Sequence, residues 1–450
     1  MVNFQEYSEK LISKADSHGL MASLLMKNSS ELNISVDKNE LETVTHDESS
    51  SIYLSLIKDA KRFVFSFNQL DIDDIDRMIK YFTDIIEFLP DDPYFDLAQK
   101  KLKDNKLITS WAGNKLTGEN SDWLVDYVKN LYSYTSSYSD KIKMIESCRG
   151  SHSYMNTSFV NSHGIMGNYE SEAYSSYVVA IASNDHNSSI GMENYYDQTM
   201  GCTKDSLMSA KLLGELVAAG AIKKLGSQSI KTGEMPVIFM PRVASSLMSD
   251  FISAINGASI AKKSSFLADK LDSKIFKDDV CIIDDPLLKN GVLSKKFDDE
   301  GVECNTLPLV TNGVLKSYLL DLKSAKMLQM KSTANASING GAINPSTTNL
   351  YIKPTTISRD SMVADIKYGV IIDGLMGHGA NIINGDYSQG ATGFLIENGK
   401  ITSPLSEIAV AGNLLDLFKT MQVADDLSFQ YAYNAPSIMM PKMTVSGSKK

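Results

Sequence analysis

Apolar positions in the first half of the chain alternate between two periods. Phe4, Tyr7, Leu11 and Ile12 lie near helical spacing and predict a helix over Phe4–Ser17. Met21–Met26 and Glu31–Val36 read as strands. Ser51–Phe67 reads as a hairpin, with Ile52, Leu54 and Leu56 alternating and the turn near Lys58-Asp-Ala-Lys. Asp71–Leu89 is predicted helical, because acids crowd its first turn, where they suit the macrodipole, and Ile75, Met78, Ile79, Phe82, Ile85 and Ile86 form a stripe. Ser121–Cys148 predicts a second helix, interrupted around the serine and tyrosine cluster at Tyr132–Ser139. Ser151–Asn184 returns to strands, with Ser162-His-Gly as the turn, and Ser206–Lys224 is helical again.

Leu225-Gly-Ser-Gln-Ser-Ile-Lys-Thr-Gly is a polar, glycine-bearing hinge and sets the expected domain boundary. The expectation is a mixed α/β domain over 1–224 and a β-rich domain over 225–450, an α+β protein overall. A chain of 450 residues exceeds what one core usually organises. In the second half, Pro236–Met240 predicts a buried strand, Val243–Ile255 a helix and Asn413–Val423 another, with β structure elsewhere.

Gly369–Gly399 holds eight glycines among short apolar runs. Such density in strand-like sequence means tight turns or close backbone approach. One reading is a β-meander turning at His378-Gly379, Asn384-Gly385 and Asn398-Gly399. The other is a substrate groove, whose candidate residues are Gly374, Gly377, His378, Gly379, Asp386, Gly390 and Gly393.

Composition narrows the function. A net charge of −10 and the lack of a basic patch argue against nucleic acid. The first residues carry acids and lysines on a helical period, unlike a secretory signal, and no apolar run approaches the roughly 20 residues needed to span a membrane. Cys148, Cys202, Cys281 and Cys304 are far apart, which suits reduced thiols in the cytoplasm. Six histidines form no HxxxH, HxH or HxxE pair. His378, near Asp373 and Asp386, is the best-placed functional histidine. His163 is expected to cap a turn, His152 to sit on a strand well apart from it, and His18, His46 and His186 to lie in surface loops. There is no GxSxG elbow, no GxGxxG and no Walker motif, so neither a serine-hydrolase site nor a nucleotide cofactor is expected.

The order of landmarks carries more than any one of them. Gly374-Leu-Met-Gly-His-Gly, Gly385-Asp-Tyr-Ser-Gln-Gly-Ala-Thr-Gly-Phe, Glu397-Asn-Gly and Glu407-Ile-Ala-Val-Ala-Gly-Asn-Leu follow one another. Before them come Glu40-Leu-Glu-Thr-Val-Thr, Pro90-Asp-Asp-Pro-Tyr, Asn161-Ser-His-Gly, Met235-Pro-Val-Ile-Phe, Lys263-Ser-Ser-Phe-Leu, Phe297-Asp-Asp-Glu-Gly-Val and Asn312-Gly-Val-Leu. Collinear over nearly the whole chain, this order resembles the TldD/PmbA family of bacterial proteins linked to peptide processing and to modulation of DNA gyrase, and within it the PmbA (TldE) branch.

In the TldD branch, the resemblance implies, a HExxxH helix binds zinc through two histidines while its glutamate activates water. Two imidazoles one helical turn apart reach one ion, and a nearby carboxylate takes the proton from metal-bound water. Here the aligned helix reads Arg242-Val-Ala-Ser-Ser-Leu-Met-Ser-Asp-Phe-Ile-Ser-Ala, with neither histidine nor glutamate, and Asp250 reads as a solvated residue. TldD-type chains also carry a cysteine before the final strand; Ala435, in Asn434-Ala-Pro-Ser, stands there. The expectation is therefore no metal and no catalytic residue in this chain, which would pair as a heterodimer with a TldD-like, HExxxH-bearing subunit holding zinc. The glycine-rich run and Asn335-Ala-Ser-Ile-Asn-Gly-Gly-Ala-Ile-Asn would wall a groove for extended peptide substrates. One alternative is an autonomous homo-oligomeric peptidase, such as a homodimer, in which His378 or His163 meets distant carboxylates. Another is a regulatory binding protein acting on a topoisomerase or a toxin–antitoxin system, for which the sequence offers no docking motif.

Overall fold

A computed structural model describes residues 4–69, 71–99, 118–184, 191–377 and 379–448. The first part is built on one antiparallel sheet of β1 (Met21–Asp37), β2 (Glu40–Lys58), β3 (Lys61–Phe67), β4 (Ile142–Asn161), β5 (Met166–Ala182) and β6 (Glu193–Gly201), in the order β3-β2-β1-β4-β5-β6. Lys38 and Asn39 both adopt positive φ, the two-residue turn that matches the twist of the hairpin β1–β2. The hairpin predicted for Ser51–Phe67 is present, but β2 starts at Glu40.

Helices α1 (Phe4–Ser17) and α2 (Asp74–Ile85) cover one end of a single sheet face, where Leu11, Ala15, Ile75, Met78, Ile79 and Phe82 meet Leu24, Met26, Ile52, Leu54 and Leu56. Helices α3 (Gly118–Ser136) and α4 (Ala210–Lys223) cover the other end, where Leu124, Val128, Leu131, Leu213 and Val217 meet Leu32, Ile34, Val36 and Val178. The strip between the two helix pairs is polar. This explains why Met21–Met26 and Glu31–Val36, read as separate strands, are one strand of 17 residues: Lys27-Asn-Ser-Ser interrupts the apolar pattern without interrupting the ladder.

The second predicted helix is shorter than its pattern suggests. It ends at Ser136, and Ile142–Cys148 begins β4 instead. Ser136 and Ser137 both return their hydroxyls to the Ser133 carbonyl, a local alternative to helical bonding that closes the last turn.

From β7 (Gly233–Phe239) onward a second unit forms. The short strands β8 (Ile282–Asp284), β9 (Leu307–Thr311), β10 (Val314–Leu315), the hairpin β11–β12 (Ala336–Asn339, Ala342–Pro345) and β13 (Leu350–Ile352) are followed by β14 (Tyr368–Met376), β15 (Asp386–Glu397) and β16 (Lys400–Asn413), then by β17 (Gln422–Val423), β18 (Tyr433–Asn434) and β19 (Ile438–Gly447). β16, β15, β14, β7 and β19 pair in that order, and β19 also pairs with β16, so the five close into a barrel in which only β14–β7 is parallel. Helix α5 (Pro241–Ala254) follows β7 and buries Val243, Ala244, Leu247, Met248 and Phe251 between the barrel and the β10-β9-β8-β13-β18 sheet.

The two units meet on the second face of the first sheet. Ile338 and Ile343 of the β11–β12 hairpin pack against Leu25, Tyr53, Phe159 and Tyr169. Asn335, at the start of the second expected groove wall, donates to Asp284 Oδ2 at 2.8 Å and to the Ser346 carbonyl at 2.9 Å.

Candidate functional site

The glycine-rich run is a strand, a loop and a strand of the barrel. β14 and β15 slip register between Ile372 and Gly374, so Asp373 sits at a bulge, which aims its carboxylate toward the first unit. Lys224, at the end of α4, reaches Asp373 Oδ1 at 3.1 Å, and the two side chains are only 9% and 3% exposed. Thr392 donates to the same oxygen at 3.2 Å and accepts from Lys224 at 3.0 Å.

Arg242, in the first turn of α5, completes the seam. Its Nη2 donates to the Asp373 carbonyl, and its guanidinium lies 4.9 Å and 4.3 Å from the ring centroids of Tyr195 and Tyr196 on β6. Lys224 lies 5.1 Å from the Tyr195 ring as well, so both cations face one phenol. Burial pushes the Tyr195 hydroxyl up to about 12, against the pull of Arg242. Asp197 accepts from the Tyr431 hydroxyl at 2.9 Å, and burial raises its carboxyl despite Arg242. Two cations and two carboxylates thus join α4, β6, α5, β14 and the loop before β18. Nothing in the residue pattern singled out Lys224, and Arg242 was read only as part of the metal-free helix. A signal existed: an arginine in a helix's first turn opposes the macrodipole and implies a specific partner.

The structure divides the candidate glycines. Gly374 and Gly393 lie in the paired strands, where a Cβ would stand 2.5 Å from Thr392 Oγ1 and 2.0 Å from the Ile371 carbonyl oxygen. Gly390 pairs with Met376 in the same ladder. Gly377 has φ +87° and nothing near its missing side chain, a turn residue. Gly379 lies against Asp250, whose Oδ1 accepts from the Ala380 amide at 3.3 Å. Asp250 is therefore not the solvated helix residue expected; burial raises its carboxyl, and it ties the loop to α5. Asp386 receives Asn384 Nδ2 at 2.7 Å and Asn413 Nδ2 at 3.1 Å, holding the loop's far end. His378 lies outside the described residues. The turns at Asn384-Gly385 and Asn398-Gly399 are present, with positive φ at Gly385, Asn398 and Gly399.

His163, His152 and His46 make contacts within the fold, His18 lies in the turn after α1 with Nδ1 2.9 Å from the Lys14 carbonyl, and His186 lies outside the described residues. His163 sits in the β4–β5 turn as expected, its Nδ1 3.1 Å from the Ala98 carbonyl. His152 is fully buried on β4, stacked 4.1 Å from Tyr174, with Nε2 2.5 Å from Glu172. His46 is on β2, not in a loop, and bonds Ser30 at 2.8 Å.

A zinc ion does not fit the residues around α5. The donors there, Asp250, Asp373 and Asp197, are carboxylates already engaged by Ala380, Lys224 and Tyr431, and zinc in proteins is typically held with imidazole or thiolate. Among the described residues no group of three His, Cys, Asp or Glu is placed to hold a metal. Ala435 is buried in the core beside β18.

The chain is thus a helix-covered antiparallel sheet joined to a closed five-stranded barrel, with α5 packed against the barrel. Three sequence profiles match it in order: PmbA/TldA metallopeptidase domain 1 over residues 22–80, the central domain over 115–225 and the C-terminal domain over 232–447. The chain belongs to the PmbA/TldD family. It is 37% identical over 290 residues to the metalloprotease PmbA homolog of Haemophilus influenzae, covering 64% of this chain and 62% of that protein. The PmbA homolog of Buchnera aphidicola from Acyrthosiphon pisum is 29% identical over 94% of this chain and 93% of its own length. TldE from Thermococcus kodakarensis shares the fold, with a TM-score of 0.86 at 22% identity over 98% of this chain and all of that one.

Proposed function

We propose that this chain is the PmbA/TldE-type subunit of a two-chain zinc peptidase, and that zinc and the water-activating glutamate belong to a HExxxH-bearing TldD-like partner. The observation that carries the reading is α5. The helix that would bear the ligands ends its polar face in Arg242, sealed against Tyr195, Tyr196 and the Asp373 carbonyl, and in Asp250, committed to the Ala380 amide. On this reading the chain has two units, 1–224 and 225–450, works in the cytoplasm on unfolded or extended peptides, and shapes the chamber that its partner's metal serves.

The test is zinc content by elemental analysis, with peptidase activity, for the chain alone and after mixing with its HExxxH-bearing relative. Metal and activity only in the mixture support the reading. Stoichiometric zinc in the isolated chain overturns it and directs mutation to His378 and His163.

A further inference from the structure

The outer half of β2 is a strand edge with nothing beside it. β3 pairs only with Ile52–Lys58 and ends at Phe67, so among the described residues Glu40–Ser51 has β1 on one side and no strand on the other. Every residue from Glu40 to Ser49 is exposed, including Leu41 at 43% and Val44 at 52%. An unpaired edge offers a row of amides and carbonyls to any extended chain, and natural proteins commonly blunt such edges with lysine, proline or a bulge. Here the segment carries Glu40, Glu42, Asp47 and Glu48 and no lysine, arginine or proline. The only break in the β1–β2 register lies at its far end, near Leu41.

The polar strip between the two helix pairs opens beside this edge. It forms a cleft of about 910 Å³ that runs from Glu48 and Ser50 past Asn28, Tyr154 and Asn156 to Glu170, with no lysine or arginine in its lining. Burial and the Glu170 carboxylate both raise the Tyr154 hydroxyl, so its aromatic ring stays neutral beside the acids.

We infer that Glu40–Ser50 docks a basic, extended segment of a partner protein as an added strand, collinear with β3, with alternate cationic side chains turned toward Glu48 and the cleft. Backbone pairing supplies affinity and the one-signed charge supplies the choice of partner. A second copy of the same edge would set four carboxylates against four, which disfavours self-pairing. The inference is independent of whether the chain holds zinc.

The probe is a fluorescent twelve-residue peptide alternating lysine with threonine and valine, titrated into the intact protein by anisotropy. Saturable binding that weakens at least about tenfold in the E40K/E42K/D47K/E48K variant and in 0.5 M salt is expected, since exposed ion pairs are individually weak and screened. All four side chains are exposed, so the variant should fold. Hydrogen exchange should slow at the Glu40–Ser50 amides in the complex, and the same peptide N-methylated at alternate residues should not bind. Equal binding of the N-methylated peptide or of a glutamate-for-lysine peptide, or protection elsewhere, overturns the inference. So does a dimer of the free protein that already protects these amides.

Discussion

Lys224 and Asp373 meet at 3.1 Å across the seam between the helix-covered sheet and the barrel, and water reaches almost none of either side chain. The pair links the end of α4 to a bulge in β14, and its two residues lie 149 positions apart in the chain. Removing one partner leaves the other buried and charged, which costs about 3–5 kcal/mol.

Lys224→Met is therefore expected to lower the thermal unfolding midpoint sharply. Lys224→Met combined with Asp373→Asn should cost much less than the two single changes added, because it removes the orphaned charge. Calorimetry on the four proteins of the cycle checks this, and additive losses would contradict it.

Two glycines of one run should respond in opposite ways. Gly393→Ala drives a methyl to within 2.0 Å of the Ile371 carbonyl and is expected to cost about 3 kcal/mol or to prevent barrel closure. Gly377→Ala meets open space and pays only for its positive φ, about 1 kcal/mol. Urea unfolding of both variants separates packing from backbone conformation.

Asp250→Ala removes the acceptor that Ala380 uses. Global stability is expected to fall by about 1 kcal/mol or less, the worth of one partly exposed hydrogen bond. The larger effect should be local: faster hydrogen exchange and easier proteolysis between Gly379 and Asp386. Unchanged exchange there would show that the loop is held without Asp250, by Asn384 and Asn413 on Asp386 and by Asn381, whose Oδ1 accepts from the Ile383 amide.

Asp298 gives a pH signature. Burial is the main cause that lifts its carboxyl to about 6, against Lys295 and the amides of Val302 and Ala336. An unfolded aspartate titrates near 3.9. Between about pH 4 and 6 the folded protein holds a proton that the unfolded chain has released, so this group makes stability fall as pH rises through that window. Glu300, raised by burial and by Asp298, adds the same sign at higher pH. Asp298→Asn should flatten the slope of unfolding free energy against pH between 4 and 6, measured by denaturant titration.

Where side-chain period and turn chemistry act locally, the chain was readable. Ile75, Met78, Ile79 and Phe82 form the buried stripe of α2, and Asn384-Gly385 and Asn398-Gly399 form the turns of the barrel meander. What escaped was set by distant partners. Lys27-Asn-Ser-Ser looks like a loop until β2 and β4 flank it. Asp250 looks solvated until Gly379 arrives 129 residues later, and Lys224 is one lysine among many until the bulge at Asp373 gives it a carboxylate. The resemblance to a family located α5, but the partners of Arg242 on β6 and β14 come only from the three-dimensional structure.

The barrel closes late in the life of the chain. β7 emerges near residue 239, yet its neighbours are Val370–Ile372 on one side and Ile438–Val445 on the other, so it must wait some 200 residues for its second partner. During synthesis the sheet of β1–β6 can pair within its own stretch, while the apolar faces of β7 and α5 stand without cover. A chain cut short before Ile438 is therefore expected to leave β7 without its second neighbour and to aggregate where the full chain stays dispersed.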